Sequence, residues 1–280
     1  MKINIVHKIL IAGFLSIEFF TRLPMQWVKR FSMPIIDDIK GDKAQFQLSH
    51  AVIGLFIVGA LLAFLLSIFA FFLLMIGLSF PLTALVCLAT LIILTGALHE
   101  DGLADCCDGF FGGWDKKRKL EIMRDSHIGS YGTLGLIITI LLRYILLIEV
   151  MKLTSSSFLM LFLSLFFILT TSRALAISVA YFLPNAREDG LGIKSGALQQ
   201  KEVKRLFAGC FFMLILLLPF KGALFYGVFF LIGICLPLFT LFSIIAFSKK
   251  HIGGYSGDVI GFAQQGIEIA CLLSLTFIIS

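Results

Sequence analysis

Long apolar runs separated by short charged loops constrain the fold of this chain more than any other feature. The runs cover about residues 51–79, 81–98, 131–150, 156–183, 206–220, 223–247 and 259–279. A helix that crosses a bilayer needs about 20 predominantly apolar residues. Only 14% of the residues are charged and the mean hydropathy is +1.01, which is typical of membrane proteins. The sequence therefore predicts an all-α polytopic integral membrane helix bundle with about seven crossings.

The N-terminal apolar run, residues 9–20, is too short to cross a bilayer. We expect a short interfacial or re-entrant helix there that stops near Pro24, followed by a polar loop over 25–46. No linker, internal repeat or low-complexity tract separates the later runs. Residues 1–280 are therefore predicted to form a single membrane-embedded catalytic domain.

The placement of Lys and Arg predicts the orientation of the bundle. Seventeen of the 23 lie in four loops: 21–46, 99–130, 184–205 and 248–258. Only Lys152 and Lys221 lie in connections on the other side. Because positive loops stay inside, all four are predicted to face the cytoplasm across the inner membrane. This topological signal accounts for the net charge of +6, and no basic stripe interleaved with aromatics indicates a nucleic-acid partner.

The stretch His99–Tyr131, HEDGLADCCDGFFGGWDKKRKLEIMRDSHIGSY, carries seven of the 17 carboxylates. Asp101, Asp105 and Asp108 are spaced i, i+4 and i+7, so they fall within about 60° of one helix face. Acidic groups near hydrocarbon are costly unless a cation offsets them. Mg²⁺ is usually held by a few carboxylates and substrate phosphates, so the spacing predicts a magnesium site for phosphate chemistry.

Several neighbouring residues are candidates for the same site. Gly102 and Gly109 flank the aspartates and are expected to leave room for a bulky ligand. Glu121 and Asp125 repeat the i, i+4 spacing and either complete the metal site or pair with nearby basic residues. Arg118 is a candidate for neutralising phosphate, as is Arg124.

Two arginines lie within predicted crossings, where an unpaired charge is costly. Arg173, in TTSRALA, is expected to face the bundle interior and to contact a ligand or a carboxylate. Arg143 has no supporting motif, and a structural pairing is expected for it.

Two glycine-rich segments are also expected near the site. PNAREDGLGIKSG places Arg187 and Lys194 among glycines, which suits a phosphate-binding loop, although a flexible loop has the same composition. GGYSGDVIG opens the last crossing and includes Gly254, whose small size favours anion contact with backbone N–H groups. Asp258 either joins the substrate site or caps this helix.

The segment HEDGLADCCDGFFGG, followed by LEIMRDSHIGSYG, closely resembles the hallmark of the cobalamin synthase (adenosylcobinamide-GDP ribazoletransferase) family. FFTRLP, PNAREDGLG and GGYSGDVIG match in the family's order. The resemblance implies a membrane enzyme that joins adenosylcobinamide-GDP to α-ribazole or its 5′-phosphate with Mg²⁺ and releases GMP. It also implies a metal role for Glu100, Asp101, Asp105 and Asp108. A homo-oligomer or a biosynthetic complex is compatible with this assignment.

The sequence hypothesis is therefore metal-assisted phosphotransfer at the cytoplasmic membrane face. Asp101, Asp105 and Asp108 hold Mg²⁺ against the pyrophosphate, while a ribazole hydroxyl attacks the phosphorus attached to cobinamide. Asp125 is the candidate base. The candidate phosphate clamps are Arg118, Arg124 and Arg187.

Two alternatives stay open from the sequence. CDP-alcohol phosphatidyltransferases carry DGxxAR followed by GxxxDxxxD, but here Asp105 and Cys106 replace the Ala and Arg. At that family's usual gap, its later Gly and acids would fall on Asp115, Lys119 and Met123, and none matches. A divalent-cation transporter would need acids near the bilayer midplane, and only Glu268 is placed in that way.

Overall fold

The computed structural model describes residues 5–24, 48–187, 198–217 and 226–279. These ranges contain ten α-helices: α1 (Ile5–Phe20), α2 (Leu48–Met75), α3 (Phe80–Thr95), α4 (Leu98–Gly112), α5 (Lys116–Ile122), α6 (Ser130–Thr154), α7 (Phe158–Phe182), α8 (Gln200–Leu216), α9 (Tyr226–Ile252) and α10 (Gly257–Ile279). Five of them, α2, α6, α7, α9 and α10, are long and apolar enough to cross a bilayer. The number is six if α3 and α4 form one broken span.

The predicted all-α membrane bundle is confirmed, with five or six candidate spans where the sequence predicted about seven. The difference lies in α3 and α8, whose 16 and 17 residues fall short of the roughly 20 that a crossing needs. The predicted short N-terminal helix is α1, with 16 residues packed along α2. The predicted loop over 25–46 lies outside the described residues.

Helix α10 is the central element of the bundle, because it packs against α4, α6, α7 and α9. Small residues on this helix, such as Ala263 and Ala270, are buried. A helix that is apolar around its whole circumference must be buried in protein or in lipid. Polar side chains on α10 are therefore informative, and three of them, Gln264, Gln265 and Glu268, are almost fully buried.

A sharp bend separates α3 from α4. Gly96 and Ala97 adopt the left-handed conformation, with φ of 63° and 55°. These two residues turn the chain so that the two helix axes differ by 87°. The apolar run predicted as one crossing over 81–98 therefore ends as a helix at Thr95, and the acidic helix α4 starts in a new direction and packs against α6 and α10.

Gly102 lets α4 and α10 approach backbone to backbone. A Cβ atom on Gly102 would lie 2.8 Å from the carbonyl oxygen of Asp258 and 3.2 Å from the Cα of Gly261. The expectation that Gly102 and Gly109 leave room for a ligand is therefore wrong. Both positions are filled by neighbouring chain, with Gly109 packed against Met123.

The described parts of the four charged loops meet at one end of the bundle. The backbone N–H of Arg22 donates to the carbonyl of Leu94 at 2.7 Å, just before the acidic helix. Lys119 Nζ lies 2.7 Å from Nδ1 of His251 at the end of α9. These contacts bring parts of the predicted charged loops together, while the side of the membrane on which they lie stays a prediction.

Candidate active site

One face of α4 carries a row of carboxylates. Asp101 is exposed, Asp105 is half-buried and Asp108 is buried, so the predicted helix is present but its three aspartates have different surroundings. Asp258, in the first turn of α10, and Arg187 join this row from other parts of the chain. Arg187 Nη2 donates to Asp258 Oδ2 at 2.8 Å, and Ser256 Oγ donates to the same oxygen at 3.1 Å.

Asp105 lies on α4, outside the five helices that qualify as crossings. The pKa of Asp105 is raised from 3.8 to about 7, chiefly by burial and also by the negative charges of Asp258, Asp101 and Asp108, while Arg187 acts in the opposite direction. Like charges that disfavour one another's ionised form create a place where a cation is stabilised. The electrostatics of this row therefore favour a bound cation.

The donors fit Mg²⁺ completed by substrate better than a metal cage made of protein alone. Across residues 5–24, 48–187, 198–217 and 226–279, no three His, Cys, Asp or Glu side chains form a ready-made metal cluster. Mg²⁺ is commonly held by one or two carboxylates plus substrate phosphates. Asp101 and Asp105, one helical turn apart on the accessible face, provide such a pair.

Asp108 holds the acidic helix against the start of α6. Its Oδ2 accepts from the backbone N–H of Gly129 at 2.7 Å, and its Oδ1 accepts from that of Gly132 at 2.9 Å. Gly129 is the N-cap residue of α6, where a carboxylate stabilises the unpaired N–H groups and the helix dipole. Both oxygens of the predicted ligand Asp108 are thus engaged by backbone.

Replacing Gly132 with Ala is expected to destabilise the protein by about 1–2 kcal/mol, because it disturbs this cap. An added Cβ would collide with Asp108 Oδ2 and lie 3.0 Å from the carbonyl oxygen of Ala104. Thermal unfolding in detergent measures the effect. Gly112→Ala is the matched control, since its Cβ would meet only Ile122 Cδ1, at an ordinary 3.7 Å. Equal melting temperatures for the two variants would contradict the capping role.

Glu100 faces the interior rather than the exposed acidic row. It is 6% exposed, and its Oε1 accepts from Arg143 Nη1 at 2.7 Å and from Gln265 Nε2 at 3.1 Å. One residue along a helix rotates the side chain by about 100°, so Glu100 and Asp101 point to different surroundings. The four metal ligands implied by the resemblance therefore do not lie together, because Glu100 is in a buried ion pair with Arg143.

Arg143 is the centre of a polar network within the bundle. Its Nε donates to Glu268 Oε1 at 2.9 Å. Gln264, which lies on α10 with Glu268, donates from Nε2 to Ser172 Oγ at 3.3 Å. The network joins α4, α6, α7 and α10, and the structural pairing expected for Arg143 is confirmed. Arg143 offsets the charges of both Glu100 and Glu268.

Arg173 also faces the bundle interior, as predicted. It is 3% exposed and its Nη1 donates to the carbonyl of Leu169 at 2.8 Å. Its contact with a ligand stays a prediction. Sequence reasoning did not identify Gln264 and Gln265, although two adjacent amides within an apolar run were the available signal.

Gly254 supports the site by packing. Tyr255 N donates to the carbonyl of Pro184 at 2.9 Å, and Ala186 N donates to that of Tyr255 at 2.8 Å. Gly254 is buried in this crossing, and a Cβ there would collide with the Pro184 carbonyl. The paired segments carry Arg187 to Asp258, so Gly254 positions a basic residue.

A family profile described as Cobalamin-5-phosphate synthase matches residues 12–276. The chain belongs to this family. Proteins named Adenosylcobinamide-GDP ribazoletransferase are similar over most of their length. The one from Azorhizobium caulinodans is 36% identical over 261 residues, covering 93% of each chain. The one from Pseudoalteromonas atlantica is 39% identical over 264 residues, covering 93% of this chain and 89% of its own.

Family membership confirms the resemblance seen in the sequence. It favours that assignment over a CDP-alcohol phosphatidyltransferase and over a divalent-cation transporter. A third relative of the same name, from Shewanella oneidensis, is 34% identical over 275 residues, with 96% and 95% of the two chains covered. No solved structure matches this chain. The geometry of the site is therefore described from this structure alone.

Two of the four basic residues of α5, Arg118 and Lys119, contact other side chains of the protein. Arg118 is exposed and its Nη1 lies 3.3 Å from Glu121 Oε2. Glu121 therefore pairs with a nearby basic residue on the helix surface, which was the alternative to a role in the metal site. Lys119 is buried against His251. The side chain of Arg124, which follows α5, is solvent-accessible. Lys194, the remaining predicted phosphate ligand, lies outside the described residues.

Asp125 and His127 form an exposed pair in the loop before α6. Asp125 Oδ1 accepts from the backbone N–H of His127 at 3.0 Å and lies 2.7 Å from its Nδ1. These hydrogen bonds lower the pKa of Asp125 below its usual 3.8, so its carboxylate is a weak base. The arrangement suits Asp125 to orienting the imidazole of His127.

Proposed function

We propose that this member of the family is an adenosylcobinamide-GDP ribazoletransferase. It joins adenosylcobinamide-GDP to α-ribazole, or to its 5′-phosphate, and releases GMP. The observation that carries the proposal is the family match over residues 12–276. The carboxylates of α4 beside Arg187 and Asp258 supply groups suited to a pyrophosphate substrate.

Asp101 and Asp105 would hold Mg²⁺. The ion would neutralise charge on the transferred phosphoryl group and on the departing GMP. Arg187 would bind a phosphate oxygen. Its Nη2 contacts Asp258, whereas its Nε has no hydrogen-bond partner among the described residues. A guanidinium can offer both groups to one phosphate.

His127 is the proposed general base, in place of Asp125. With Nδ1–H donated to Asp125 Oδ1, its Nε2 can accept the proton of the attacking ribose hydroxyl. The hydroxyl oxygen forms a bond to the phosphorus attached to cobinamide, and the bond between that phosphorus and the GMP oxygen breaks. The electron pair leaves with GMP, and the proton stays on His127.

The active site is proposed to face the cytoplasm. The support is the bias of Lys and Arg toward the loops at this end of the bundle. Cysteine labelling of Asp115→Cys in intact cells and in inverted vesicles tests the orientation. The proposal expects a membrane-impermeant maleimide to react only in inverted vesicles, after the native cysteines have been blocked or replaced.

The activity is tested with the full chain purified in detergent and supplied with adenosylcobinamide-GDP, α-ribazole and Mg²⁺. We expect equal amounts of a cobamide and GMP. CDP-diacylglycerol with an alcohol is the control substrate pair and should give no phospholipid. A relative of the same family is assayed in parallel as the positive control. The proposal would be overturned if the relative formed a cobamide while this chain, correctly folded, formed none.

Without Mg²⁺, the contribution of Asp105 is expected to make thermal stability fall between about pH 4 and about pH 7. The pKa of Asp105 is raised from 3.8 to about 7 in the folded chain. The folded state therefore holds a proton that the unfolded state releases, and the stabilisation is lost as the pH rises through 7. Mg²⁺ should weaken this slope, because it binds the ionised carboxylate. Melting curves of wild type and Asp105→Asn measure it, and an identical slope in the variant would exclude Asp105 as its source.

A further inference from the structure

A group of large apolar side chains is exposed beside the acidic helix. We call it the rim patch, and it consists of Phe111, Trp114, Ile128 and Tyr131. Trp114 is 84% exposed, and the rings of Phe111 and Tyr131 lie 5.7 Å apart. Single exposed apolar residues are common, but this group lies in one charged segment, which indicates a surface that contacts something apolar.

The rim patch continues the lipid-facing surface of α6. Tyr131 is in the first turn of α6, and a stripe of exposed apolar residues follows it at helical spacing: Leu134, Ile138, Leu141, Leu142 and Ile145. Helix α6 is one of the candidate spans, so this stripe faces hydrocarbon. The patch lies where the stripe ends, and Trp and Tyr are enriched at the level where a membrane meets water.

Exposed lysines surround the same surface. Lys116 and Lys117 lie on α5, and Lys249 and Lys250 lie at the end of α9. The contact between Lys119 and His251 holds these two helices together. Lysines beside a membrane surface attract anionic headgroups, by about a factor of five in affinity each. The charge of this surface therefore complements anionic lipid.

We propose that the rim patch is a binding surface for anionic phospholipid headgroups. The aromatic side chains enter the headgroup region of the bilayer, and Lys116 and Lys117 contact the lipid phosphates. This surface holds α5 and the neighbouring acidic helix at the level of the headgroups. The proposal does not depend on the reaction that the enzyme catalyses.

Tryptophan fluorescence tests the proposal directly, because the chain has only two tryptophans, Trp27 and Trp114. In Trp27→Phe, or Trp27→Tyr if the first variant is not monodisperse, Trp114 is the sole tryptophan. The full chain is placed in nanodiscs of phosphatidylcholine with increasing phosphatidylglycerol. We expect a blue shift of Trp114 emission that grows with the anionic lipid. We also expect stronger quenching by lipids brominated near the headgroup than by lipids brominated near the chain end.

Lys116→Gln with Lys117→Gln should raise the phosphatidylglycerol fraction needed for half of the shift by at least about fivefold. The matched control is Lys201→Gln with Lys204→Gln, the same loss of charge on the exposed first turns of α8, and it should leave the shift unchanged. Water-like emission without lipid quenching would overturn the proposal. So would equal effects of the two double variants, or quenching that adenosylcobinamide-GDP abolishes, which would assign the patch to substrate.

Discussion

Replacing Asp105 with Asn is expected to lower the rate of GMP release by at least about a hundredfold at saturating substrate. The variant removes a negative charge from the row in which Asp101, Asp108 and Asp258 already act on Asp105. The proposed Mg²⁺ loses a ligand, and the charge on the departing GMP is less well neutralised. Single-turnover assays over a range of Mg²⁺ concentrations separate a weaker metal affinity from a slower chemical step.

Asp115→Asn is the matched control for this variant. Asp115 is an exposed acid in the same segment, and its side chain caps α5 by accepting from the backbone N–H of Arg118. Asn caps a helix about as well as Asp, so the control removes the same charge and keeps the fold. We expect activity near wild type. Wild-type activity of Asp105→Asn at saturating Mg²⁺ would remove Asp105 from the mechanism.

Replacing Arg143 with Met is expected to lower the free energy of unfolding by about 3–5 kcal/mol. Arg143 is 1% exposed and contacts both Glu100 and Glu268. Removing it leaves two buried carboxylates without their cation, and an uncompensated buried charge is costly. Melting in detergent and denaturation by SDS both measure the loss of stability. If the loss is at the upper end of this range, we expect a low yield of monodisperse protein.

Lys152→Met is the control on the same helix, because Lys152 pairs with Glu149 at 2.8 Å on the surface. An exposed pair of this kind contributes about 1 kcal/mol or less. Combining Arg143→Met with Glu100→Gln and Glu268→Gln should restore part of the lost stability, since the buried charges are removed together. If Arg143→Met were no less stable than Lys152→Met, the network would not hold the bundle.

The chain's class and the helix that carries the acidic residues could be predicted from the sequence. Apolar runs identify a membrane bundle because hydrocarbon accepts only helices with internally paired backbones or closed barrels. The spacing of Asp101, Asp105 and Asp108 predicts one helix, and α4 spans Leu98–Gly112. These predictions succeed because they depend on local periodicity, which each segment carries by itself.

The contacts that give the acidic residues different partners could not be predicted from local periodicity. Periodicity gives the direction of a side chain around its own helix, but it does not say which element fills that direction. Asp108 meets the start of α6, and Glu100 meets Arg143. The pairing of Arg187 with Asp258 joins positions 71 residues apart. The bend at Gly96 and Ala97 was also missed, because the apolar run continues through it.

The 87° turn before α4 has a consequence for how deep a substrate must reach. Asp108 meets the start of α6 at Gly132, whereas Glu100 reaches Arg143, farther along the same helix. Helix α4 therefore runs antiparallel beside α6, and Asp101 and Asp108 differ in depth along it by about 10 Å, a third of the hydrocarbon thickness. A diphosphate bound by the acidic row, as proposed, would have to extend inward from the level at which α6 begins.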